Sequence, residues 1–141
     1  MEVMMPWVLD PHSGGVKIPK LVQERVRRRL IEYANKKYAG RFTRLDIRFR
    51  GVFCYIDAFV EPKLPPGRLP RNWPETREQM IERLRKTPLH LCRLRHFQEN
   101  RWSLDFFTYS NEKYTPSVFP SGEFFGTPEE GFDTGAMYLS E

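Results

Sequence analysis

Apolar residues at Val22, Val26, Leu30, Tyr33 and Ala34 recur every three or four positions, which places them on one stripe of an α-helix. Pro19 suits the first turn of that helix, and Gly40 suits the position just past its end. The period then changes to two. Leu45, Ile47 and Phe49 alternate with Arg44, Asp46, Arg48 and Arg50, the pattern of a strand with one buried and one wet face. Gly51 turns the chain into the run Val52 to Val60. That run is more continuously apolar, so the two segments predict a hairpin whose second strand is the more buried.

The segment from Glu61 to Trp73 holds Pro62, Pro65, Pro66, Gly67 and Pro70, which makes it a stiff surface loop. Asn72 with Glu75 predicts a capping box, Pro74 is tolerated in the first turn, and Met80, Ile81 and Leu84 form a short apolar stripe that Pro88 ends. Three further strands are expected at Leu89 to Phe97, Trp102 to Tyr109 and Tyr114 to Phe119, with Pro116 assigning the last to an edge. Thr127-Pro128-Glu129-Glu130 predicts a second capping box, opening a final helix through Phe132, Ala136 and Leu139. The expected order is α-β-β-α-β-β-β-α. Strand runs joined by short turns predict an α+β fold: an antiparallel sheet of about five strands with a long N-terminal helix, a short middle helix and a short C-terminal helix.

Length sets the domain count. The 141 residues fill one domain, whereas two cores of about 70 residues would each be marginal. Residues 1–16, with Pro6, Pro11, Gly14 and Gly15 and no sustained period, read as an N-terminal arm anchored by Trp7 or Leu9; residues 17–141 read as a single domain. The chain shows no bilayer-length apolar run and no signal-peptide pattern at its start, so a cytoplasmic protein without membrane contact is expected. Cys54 and Cys92 lie in apolar strand runs and are expected to be buried, reduced and unbridged. The charge of +5 is unevenly spread. Lys17 to Arg50 carries twelve Lys or Arg against Glu24, Glu32 and Asp46, while from Gln98 onward Arg101 and Lys113 oppose eight carboxylates. Such a bipolar chain can neutralise itself internally when its halves pack together.

Three stretches stand out together: His12-Ser13-Gly14-Gly15, Gly51 to Pro62 around Cys54-Tyr55-Ile56-Asp57-Ala58, and Tyr109 to Glu130 around Phe119-Pro120-Ser121-Gly122. In these the sequence resembles a group of small bacterial proteins of unknown function. The resemblance spans nearly the whole chain and implies no activity.

Four kinds of chemistry fit parts of this pattern. A non-catalytic binding or accessory module acting through protein contacts is the preferred reading, with Trp7, Trp73 and Tyr114 as anchors. Nucleic-acid binding by the arginine-rich half is the alternative, using Arg25, Arg27, Arg29, Lys37, Arg41, Arg44, Arg48 and Arg50. Lys20, Glu24, Arg28, Glu32 and Lys36 recur at four-residue spacing with alternating sign and are expected to form an ion-pair ladder, which leaves Arg25, Arg27 and Arg29 for phosphates. A variant puts binding on the sheet, where Arg44, Arg48 and Arg50 share a strand face and strand order decides whether Arg93 or Arg95 joins them. Distant from both stands a Mg²⁺-dependent nuclease built on Asp46 or Asp57 with Glu61-Pro62-Lys63, a string that Pro62 makes a poor match; Glu61 and Lys63 are expected to mark a strand exit instead. A zinc site from His90, Cys92, Cys54 and His96 or His12 is geometrically possible, since His90, Cys92 and His96 share one strand phase, yet the spacing matches no zinc pattern, so no metal site is expected. Neither a catalytic constellation nor a cofactor pattern is present, and none is expected.

Overall fold

The computed structural model describes residues 10–139. Its elements follow the expected order: α1 (Lys20–Lys37), β1 (Arg44–Arg50), β2 (Phe53–Phe59), α2 (Arg77–Arg85), β3 (Leu89–Gln98), β4 (Arg101–Thr108), β5 (Lys113–Ser117) and α3 (Pro128–Gly135), the last running into a 3-10 turn at Ala136–Tyr138. The five strands form one antiparallel meander in the order β1-β2-β3-β4-β5. No described helix is long and apolar enough to cross a membrane. Trp7 and Leu9, the expected anchors of the arm, lie outside the described residues.

The apolar stripe of α1 is buried at Val26, Leu30 and Ala34, and α3 buries Phe132 beside it. Both helices cover one face of the sheet, where Ile47, Cys54, Ile56, Ala58, Leu91, Cys92, Leu94, Trp102 and Leu104 complete the core. Thr127 caps α3 as its spacing predicts: its hydroxyl accepts from the Glu130 amide, and the Glu130 carboxylate accepts from the Thr127 amide at 2.8 Å. The middle helix differs from expectation. Its capping box is Thr76 with Gln79, not Asn72 with Glu75. Pro74 therefore precedes the helix, and Glu75 pairs with Arg83 instead. Helix α2 buries only Met80, which lines a small cleft with Leu64, Pro65, Pro66 and Leu69 of the proline loop.

Between β2 and β3 the register slips by one residue: Ile56 pairs with Cys92, but Asp57 pairs with His90. Leu91 is the extra residue of this β-bulge, so it and Cys92 both point into the core while His90 turns to the opposite face. Helix α3 meets β3 at the bulge. A Cβ on Gly135 would lie 2.8 Å from the Leu91 Cβ and 2.9 Å from its carbonyl carbon and oxygen, a contact with backbone that has nowhere to go. A Cβ on Gly131 would meet only the Cδ2 end of the Leu94 side chain, at 2.6 Å. Gly135→Ala is therefore expected to destabilise the fold by about 1–3 kcal/mol, the usual cost of overpacking. Gly131→Ala should cost less, because Leu94 can change rotamer. Urea midpoints of the two variants check the ranking, and an equal or reversed order would contradict this packing.

Candidate functional site

The basic half of the chain divides between two surfaces. On α1, the residues left outside the four-residue ladder are the ones that find partners. Arg25 bonds Glu99 at 2.8 Å, Arg29 bonds Glu129 at 2.7 Å, and Lys37 reaches Asp133 at 3.1 Å. Arg27 donates to the Ile47 carbonyl, with its guanidinium 5.0 Å from the Phe49 ring centre. Arg41 lies over the Tyr38 ring. The hydrogen bond from Arg25 holds the Glu99 carboxyl below the usual carboxylate range, and burial together with Asp133 pushes the Tyr38 phenol up to about 12. The ladder itself does not form: among the described residues no ion pair joins Lys20, Glu24, Arg28, Glu32 and Lys36. Ladder pairs would join solvated, mobile side chains and contribute little, whereas packing holds carboxylates of the acidic half against Arg25, Arg29 and Lys37.

The second basic surface is the face of the sheet that α1 and α3 leave uncovered. Residues opposite one another across paired strands share a face, so the register arranges this one in rows. Arg50, Phe53, Arg95 and Ser103 form the first row; Arg48, Tyr55, Arg93, Asp105 and Pro116 form the second. Asp46, Asp57 and His90 continue as a third row, flanked by Phe107 and its partner Tyr114, and Arg44 beside Phe59 closes the face. The arginines of β1 and β3 thus meet across β2.

Guanidinium groups lie on the rings throughout. Arg93 stands 4.2 Å from the Phe53 ring centre and 4.9 Å from that of Tyr114, Arg95 stands 4.7 Å from Phe53, and Arg44 stands 4.0 Å from Phe59. Tyr114 packs edge-on against Tyr55 and Phe107, and burial raises its phenol pKa, keeping the hydroxyl protonated. Arg48, Phe49, Arg50, Tyr55, His90 and Tyr114 line a cleft of about 460 Å³ in this surface.

Beneath the cleft is Asp57, 2% exposed. Its Oδ2 accepts from the Arg48 guanidinium at 2.8 Å and its Oδ1 meets His90 Nδ1 at 2.9 Å. Arg48 also approaches Asp46 at 3.3 Å. A second buried carboxylate, Asp105, accepts two bonds from Arg93, with His12 Nδ1 3.7 Å away. His12 belongs to the segment leading into α1, which crosses this end of the sheet: Arg95 donates to the Gly14 carbonyl, the Val16 amide bonds the His96 carbonyl, and Ile18 is buried. A side chain on Gly15, at φ +108, would crowd Arg95, His96 and Val52. Arg44 and Arg50 are exposed and have no carboxylate partner among the described residues.

The remaining candidates fall elsewhere. The Leu91 bulge corrects the strand phase expected for the zinc-type set: His90 faces the cleft while Cys92 and His96 are buried on the helical side. Among the described residues no group of three or more His, Cys, Asp or Glu is placed to hold a metal ion. Both cysteines are buried and unbridged, and burial raises both thiol pKa values. Glu61, past the end of β2, pairs with Arg85 at 2.9 Å. Trp73 is 47% exposed on its loop. Sequence reasoning named Arg44, Arg48 and Arg50, with Arg93 or Arg95, for nucleic acid and Tyr114 for a protein partner, gave no role to Tyr55, and took Asp57 and His90 only as metal-ligand candidates; alternation carried across the hairpin signals Tyr55 and Asp57, whereas the Leu91 bulge reverses the phase of His90 without a local signal. No family model matches the chain, and no curated protein or solved structure proves similar to it.

Proposed function

We propose that the sheet face opposite α1 and α3 binds single-stranded nucleic acid. The observation that carries this reading is the interleaving of five arginines, Arg44, Arg48, Arg50, Arg93 and Arg95, with the rings of Phe53, Tyr55, Phe59, Phe107 and Tyr114 across adjacent strands. Unpaired bases stack on aromatic rings and on guanidinium planes, and arginines without a carboxylate partner neutralise the phosphates between them. A duplex hides the faces of its bases, so a surface made of rings and flat cations favours the single strand. The exposed Arg44 and Arg50 supply charge that no carboxylate among the described residues consumes, in contrast to Arg25, Arg29 and Lys37 of α1.

Fluorescence anisotropy with a labelled single strand of about twelve nucleotides tests this, since such surfaces occupy roughly 4–16 nucleotides. Single strands are expected to bind with a dissociation constant below about 1 µM at about 150 mM salt, tighter than the usual non-specific range. The matching duplex should bind at least about tenfold more weakly, and Tyr114→Ala should cost about 1–3 kcal/mol of affinity for the single strand. Equal binding of duplex and single strand would overturn the reading. The protein-contact reading retains one observation in its favour, the half-exposed Trp73 indole on a proline-stiffened loop.

A further inference from the structure

Resting on that reading, we propose that the cleft is also a ribonuclease site in which His90 acts as general base on a 2′-hydroxyl of the bound strand. The geometry begins with Asp57. Buried and gripped by Arg48 at Oδ2, the carboxylate can only accept at Oδ1, so the His90 nitrogen 2.9 Å away is the one that carries the proton. That leaves Nε2 with the open lone pair, on a ring that lines the cleft with Arg48, Arg50, Tyr55 and Tyr114. A base held in one tautomer by a buried carboxylate is the arrangement that activates a hydroxyl nucleophile. None of the described residues is placed as a nucleophile beside His90. Among the described residues no Ser or Thr hydroxyl and no Cys thiol bonds His90, and the nearest cysteine in sequence, Cys92, is on the other face of the sheet. A ligand can supply the attacking oxygen itself, and in a single-stranded nucleic acid stacked on Tyr55 and Tyr114 the hydroxyl beside the phosphorus is the ribose 2′-hydroxyl.

The step balances without a further reactant. His90 Nε2 takes the proton as the 2′-oxygen forms a bond to the adjacent phosphorus, the bond from phosphorus to the 5′-oxygen breaks, and the imidazolium returns the proton through water to that departing oxygen. Arg50, exposed at the rim of the cleft and without a carboxylate partner among the described residues, faces the charge that grows on the phosphorane oxygens. Asp57 is a positioning residue that acts through His90. The products are a 2′,3′-cyclic phosphate and a free 5′-hydroxyl.

The test uses the full chain, a labelled oligoribonucleotide and the same sequence in 2′-deoxy form, with EDTA present and binding read by anisotropy in the samples that are later resolved on a denaturing gel. The ribo strand is expected to be cut to cyclic-phosphate ends while the deoxy strand is bound and left intact. His90→Gln, at a half-exposed position, should keep affinity within about threefold and lose cleavage by about 10²-fold or more, the usual share of general acid–base catalysis. Asp57→Asn should lower the rate at saturating RNA by a larger factor than it shifts half-saturation. Binding of both strands without cleavage overturns the catalytic proposal and leaves the binding reading standing; binding of neither overturns both. Cleavage of the two strands alike, or cleavage that survives His90→Gln, removes His90 and the 2′-hydroxyl from their assigned roles.

Discussion

Phe132→Ala is expected to destabilise the protein by about 3–5 kcal/mol, the range for deleting a buried aromatic ring. Phe132 has no exposed surface, sits on the short helix α3 and packs 5.4 Å from the Tyr38 ring at the end of α1. It is the ring that joins the two helices to each other and to the sheet. The loss is a large part of the roughly 5–15 kcal/mol that holds a typical domain together, so the thermal midpoint should fall by roughly 10 °C or more. Phe124 provides the control. It is 54% exposed, and Phe124→Ala should stay within about 0.5 kcal/mol. Denaturant unfolding of both variants reads the difference, and a Phe132 variant as stable as the Phe124 variant would contradict the core described here.

How far the fold was legible in the chain depends on the range of the forces involved. The stripe of α1, the alternation of β1 and the Thr127 capping box are local patterns, and each element formed where its pattern lies. The first capping box was misread by one turn because Asn72-Pro74-Glu75 and Thr76-Gln79 offer similar chemistry within a few residues; the second wins where the buried Met80 must face the proline loop. The bulge at Leu91 carries no local signal. It is set where Gly135 lets α3 approach β3, a contact between residues 44 positions apart, and by turning His90 out of the core it creates the Asp57–His90 pair. The candidate site was hidden for that reason, since a strict two-residue period would have put His90 on the same side as Cys92.

The arginines give the other lesson. Spacing alone assigned the ladder on α1 to internal pairing and left Arg25 and Arg29 for a ligand, yet those two meet Glu99 and Glu129 from the acidic half. A four-residue rhythm predicts which side chains are neighbours on an isolated helix, not which carboxylates a folded chain will bring alongside. On β1 the rhythm was sufficient, because a strand face is fixed by alternation and the meander had only to place β3 beside β2.

Two variants of equal charge distinguish a strand held on the sheet face from one held on α1. Arg44→Gln with Arg50→Gln removes two exposed cations from the face, and Arg28→Gln with Lys36→Gln removes two from α1; none of the four has a carboxylate partner among the described residues. Affinity for a labelled single strand is measured across a salt series. The sheet pair is expected to weaken binding at least about tenfold and to make the slope of log K against log salt shallower by about 1.4, or about 0.7 per lost phosphate contact. The helix pair should change affinity by less than about twofold and leave the slope unaltered, because non-specific charge alone would penalise both pairs equally. An equal loss from the two pairs, or a larger one from the helix pair, would contradict the account.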